Sequence, residues 1–129
     1  MKTAAAILAA FVLALGQSGC ATLKDAQAAK GSGTAKIYEK SYDVVWSAVL
    51  ASVSATGLDL VANDKEKGTI LGQGPVGPFT WGENVAIFVD DLGGRARTRV
   101  EVVSKRAIAT NITARDWESR IFEDLDKRF

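Results

Sequence analysis

The chain predicts an α+β fold, a two-layer sandwich in which an antiparallel sheet of four to five strands carries two helices on one face. Three observations carry that expectation. Tyr42, Val45, Trp46, Val49, Leu50 and Val53 recur at spacings of three and four, the apolar stripe of a core-facing helix. Trp117, Ile121, Leu125 and Phe129 repeat at intervals of four at the far end of the chain. Between them lie short apolar runs, the clearest being "ENVAIFVDD" and "RARTRVEVVSK" around "LGG", which read as a hairpin.

Each element is justified in turn. "AKIYEK" (35–40) alternates weakly and reads as a strand, followed by Ser41 as the N-cap of the first helix. Gly57 ends that helix. Its other face, with Asp43, Ser47, Ala51, Ser54 and Ala55, reads as solvated, or else as a small-residue face on which a partner or a second layer packs. "LDLVAND" and "GTILGQG" predict two strands around the polar "NDKEKG". In the hairpin, Val85, Ile87 and Val89 share one face while Ala86 and Phe88 share the other. Both faces of this strand are therefore expected to be at least partly covered. Across the turn Val100 and Val102 point one way, and Arg95, Arg97, Arg99 and Glu101 the other. Asp116 predicts the N-cap of the last helix, with Glu118 in its first turn and Lys127 and Arg128 in its last, which complements the helix dipole. Glu123 with Lys127 and Asp124 with Arg128 are favourable i, i+4 pairs. The expected order is β-α-β-β-β-β-α within one domain, residues 35–129, since 129 residues leave room for a single modest core.

The front of the chain is different. Fourteen of the first twenty residues are apolar and Lys2 is the only charge among them. A positive start, an apolar stretch from Ala4 to Leu15 and the small polar "GQSG" have the layout of an export signal. Twelve apolar residues are too few to span a bilayer, which takes about 20, and they lack the polar face of a surface helix. The segment resembles bacterial lipoprotein signal peptides, with Ser18, Gly19 and Cys20 matching the lipobox and Gln17 standing where the pattern usually has an aliphatic residue. That resemblance implies removal of residues 1–19, acylation (palmitate) of Cys20 as the new N-terminus and, because Ala21 is not aspartate, an outer-membrane location facing the periplasm. The physical argument agrees: a single cysteine cannot form an internal disulfide, an exposed thiol is a liability in an oxidising compartment, and two or more acyl chains anchor stably. Residues 20–34, "CATLKDAQAAKGSGT", read as a flexible tether with a span of roughly 20 Å.

Charge and residue types bound the chemistry. A formal net charge of +1 predicts no nucleic-acid partner. Histidine is absent, which removes the commonest general base, the Ser-His-Asp arrangement and most transition-metal sites. No enzyme, cofactor or metal is expected; Asp64 with Glu66 and Asp90 with Asp91 read as turn residues. The loop "GQGPVGPFTWGEN" (72–84) is glycine-rich, yet no Lys-Ser/Thr or helix start follows, so it is not a phosphate cradle. Its Phe79 and Trp81 are candidate anchors for a protein partner, or else they cover an open sheet face. Arg95, Arg97 and Arg99 form a candidate basic ladder for lipid phosphates or an acidic partner, or else a solvated strand face.

"KSYDVVWSAVLASVSATGLDLVANDKEKGTILG" and "TARDWESRIFEDLDKRF" resemble small bacterial lipoproteins of unknown function and, more distantly, the BamC lipoprotein domain of the barrel-assembly machinery. The resemblance covers residues 35–129, and its motifs are structural. It implies a non-enzymatic envelope lipoprotein acting as a protein-interaction or structural module. The alternative is a domain that binds a small hydrophobic ligand or lipid in a cleft between sheet and helices, lined by Trp46, Phe88 and Trp117.

Overall fold

The computed structural model describes residues 23–77, 80–105 and 116–129, with Thr80 and Trp81 as backbone. The elements run α1 (Leu23–Ala28), β1 (Thr34–Tyr38), α2 (Tyr42–Ala55), β2 (Asp59–Asp64), β3 (Thr69–Gln73), β4 (Val76–Gly77), β5 (Thr80–Trp81), β6 (Asn84–Asp91), β7 (Thr98–Lys105) and α3 (Trp117–Arg128). Five strands form an antiparallel sheet in the order β1-β7-β6-β3-β2. This is the α+β sandwich expected. α2 carries the chain from one edge of the sheet to the other, and β2, β3, β6 and β7 then return strand by strand to β1.

The helix ends are chemically marked. The Ser41 hydroxyl oxygen accepts from the Val44 amide at 3.4 Å. At the other end the Thr56 amide donates to Ser52, and Gly57 takes φ +83°, a backbone region that favours glycine. The Asp116 carboxylate accepts from the Ser119 amide (3.1 Å) and hydroxyl (2.7 Å). The pair foreseen between Asp124 and Arg128 forms at 2.7 Å.

α2 and α3 pack together on one face of the sheet. Val45, Trp46, Val49 and Val53 of α2 and Trp117, Ile121, Phe122 and Leu125 of α3 close over Ile70, Val85, Ile87, Val89, Val100 and Val102. The two helices are also joined by a polar bond: Ser52, fully buried in the α2 interface, donates its hydroxyl to Asp124 at 2.5 Å. That bond and the charge of Arg128 hold the Asp124 carboxyl below its ordinary range.

The opposite face is covered too, and by a segment expected to be free. Leu23–Ala28 is helical, and Ala26 is fully buried against Ala86, Phe88 and Val103, with Ala29 and Leu71 beside them. Residues 23–33 are thus a docked strap rather than part of a flexible tether. One leucine followed by small residues gives almost no periodic signal, which is why the sequence did not show it. An alanine suffices here because the aromatic ring comes from the sheet, at Phe88.

The hairpin is shorter than expected. Pairing begins at Asp91↔Thr98, so residues 92–97 form the turn, closed by the Leu92 amide on the Arg97 carbonyl and the Gly93 amide on the Asp91 carboxylate. The 72–84 segment is also more regular than a plain loop, since Val76↔Trp81 and Gly77↔Thr80 pair as a miniature ladder.

A candidate interaction surface

The sequence-predicted site residues do not gather in one place. Cys20 and Phe79 lie outside the described residues, and Trp81 is placed by its backbone in β5. Arg95 and Arg97 sit in the exposed turn between β6 and β7, so only Arg99 belongs to the strand. A three-residue ladder is therefore not formed. Arg99 is committed internally, its guanidinium lying 3.1 Å from Glu101 and 3.7 Å from Asp90.

Glu101, read from the sequence on the same strand face as the arginines, is fully buried. Its Oε2 accepts from the backbone amides of Gly31 (2.6 Å) and Gly33 (3.0 Å), and Arg99 holds Oε1. Burial pushes this carboxyl upward, but the two amides and the guanidinium outweigh it and hold it below the usual carboxylate range. A buried charge satisfied on both oxygens is a structural latch, and here it fastens the strap between α1 and β1. Gly33 is required at that crossing, because a Cβ there would stand 2.2 Å from the Val102 carbonyl oxygen. Lys30 adds a bond to Asp90 at 2.9 Å and lies 5.4 Å over the Phe88 ring.

The aromatic residues expected to line a ligand cleft fill space instead. Trp46 and Trp117 lie in the core under the helices, while Phe88 is on the other side of the sheet beneath α1. They cannot share one cleft. The opening between sheet and helix lies elsewhere, at the β2 edge. Gly57 turns the chain out of α2, and the Leu58 amide reaches back to the Val53 carbonyl (3.2 Å). Leu58 then folds onto Gly72, whose missing side chain it occupies. Val53 and Leu58 line a groove of about 440 Å³ together with Leu50, Ser54 and Gly57 on the helical side and Asp59, Leu60 and Asn63 on the strand.

β2 gives this groove an unusual rim. All six of its residues are exposed, and Leu60 and Val61 keep about half of their surface in water. Its register shifts between Leu60 and Ala62, so Val61 sits at a β-bulge, a feature that bends an edge strand and interrupts regular pairing. The other edge is occupied from within. On β1, Lys36 and Tyr38 reach Asp126 at 2.5 and 2.9 Å and Thr34 reaches Glu118 at 2.5 Å, all toward α3. Among the described residues, the adjacent apolar side chains Leu60 and Val61 of β2 stand beside an open groove.

The two carboxylate pairs of the sequence lie at the ends of β2 and β6. Asp64 accepts from the Lys67 amide at 3.1 Å, the turn role expected. A cavity of about 420 Å³ lies between Tyr42, residues 65–68 and residues 89–91. Among the described residues, no group of three or more histidine, cysteine, aspartate or glutamate side chains is placed to hold a metal ion, and no helix is long and apolar enough to cross a membrane. No protein-family model matches the chain, and no curated protein matches it either.

Proposed function

We propose that the protein is a non-enzymatic, lipid-anchored envelope lipoprotein whose α+β domain is a protein-interaction module, with the groove at the β2 edge as its contact surface. The observation that carries this reading is the pairing of half-exposed Leu60 and Val61 on an edge strand beside a 440 Å³ groove. Exposed apolar residues become informative when they are adjacent and rim a concavity. Anchoring rests on the lipobox-like Ser18-Gly19-Cys20, and outer-membrane retention facing the periplasm on Ala21. The resemblance to the BamC lipoprotein domain agrees with a scaffold role rather than catalysis.

A photo-crosslinking residue in place of Val61, in the membrane-anchored protein, tests the contact. A discrete protein adduct that is lost in Leu60→Lys supports the module. Capture of lipid or a small apolar molecule alone would favour the ligand-binding alternative, for which the same groove is the available opening. Replacing Cys20 with alanine tests the anchor, and the expected result is loss of the processed protein from the membrane fraction.

A further inference from the structure

We infer that the face of the sheet carrying α1 is the face held against the bilayer, and that the α2/α3 layer is turned away from it. This rests on the reading of Cys20 as the lipidated residue. The reason is the length of chain left over once α1 is docked. Leu23 opens α1, the helix that Ala26 docks on the sheet, so Cys20 is separated from the start of that helix by three Cα–Cα steps, about 11 Å at full stretch.

That reach decides the orientation. α1 lies on one side of the sheet and the α2/α3 layer on the other. From the α1 layer through the sheet to the outer surface of α2 is about 25 Å, taking layers about 10 Å apart and a helix radius of about 5 Å. A path around the sheet edge is longer still. An 11 Å link cannot bring the lipid to that side, whereas the tether of residues 20–34 read from the sequence would have reached roughly 20 Å and left the domain free to roll.

The lipid-facing surface then consists of α1, with exposed Lys24, Asp25 and Gln27, and the uncovered remainder of its sheet face, including half-exposed Ile37. Ile37 belongs there because Lys36 and Tyr38, its neighbours on β1, point to α3. The device that enforces the orientation is the Glu101 latch on Gly31 and Gly33 together with the burial of Ala26.

Energy transfer to a headgroup-labelled lipid tests this in vesicles of phosphatidylethanolamine and phosphatidylglycerol. Acylation removes the thiol of Cys20, so Ile37→Cys and Ser47→Cys each give a single labelling site, on opposite faces of the folded body. The full lipoprotein should show transfer from position 37 greater than from position 47 by about twofold or more, given a separation of roughly 20 Å across two layers. Adding Ala26→Glu, which undocks α1, should reduce transfer from position 37 and bring the two close together. Equal transfer from both positions in a protein that still floats with the vesicles would overturn the orientation and leave the anchor intact. A mature protein whose Cys20 carries no acyl mass would overturn the anchor, and the orientation with it.

Discussion

The two faces of one sheet are covered in opposite ways. On the first, α2 and α3 meet the strands in a cluster of fifteen buried apolar residues among those described; on the second, α1 closes over a cluster of four. The first face is held by apolar volume. The second is held by a small apolar contact and a charge, Glu101, satisfied by two backbone amides and Arg99. The comparison teaches that stability and placement are assigned to different sides of the molecule. The thick side makes the domain fold, whereas the thin side fixes where its N-terminus leaves.

The largest effect should come from breaking the thick side. Leu125 is fully buried between α3 and the sheet, and Leu125→Ala should cost about 2–5 kcal/mol, seen as a cooperative loss of thermal stability by circular dichroism. Ala26→Glu should act differently. The new carboxylate escapes burial by undocking α1, so the loss is capped at the docking energy of the strap, about 1–2 kcal/mol. Limited proteolysis should then cut within residues 23–33 while the sheet remains folded. Cutting throughout the domain would mean that the strap belongs to the core.

Acid should separate the two faces without mutation. Because Glu101 is held below its ordinary range in the folded state, its contribution is complete above the unfolded carboxyl value of about 4.3 and is lost as pH falls through the lower folded value. The protection of the Gly31 and Gly33 amides against exchange should therefore fall at acid pH before the Ile70 and Ile87 amides lose theirs. Glu101→Gln should make the strap's protection insensitive to pH over that window. The smallest effect belongs to the bond between the two helices: Ser52→Ala should cost about 1 kcal/mol, since Asp124 keeps a quarter of its side chain exposed and its partner Arg128. The same change should raise the Asp124 carboxyl toward its ordinary value, measurable by carbon-detected titration.

The amino-acid sequence by itself determined the fold class and the limits of the two long helices, because those depend on signals local to the chain. The stripes from Tyr42 to Val53 and from Trp117 to Leu125, the caps at Ser41 and Asp116, the stop at Gly57 and the two-sided apolar pattern of β6 are all readable over a dozen residues or fewer. The two-sided pattern implied at least partial cover on the second face without saying what supplies it. Tertiary structure alone decided that the cover is residues 23–28, that Glu101 is a latch rather than a surface charge, that Trp46 and Phe88 lie on opposite sides of the sheet, and that β2 becomes an edge with an open groove. Each of these joins residues far apart in the chain, Gly31 with Glu101 or Ala26 with Phe88. An alanine or a glutamate carries no trace in its own neighbourhood of the distant group that buries it; the packing of the sheet supplies that information.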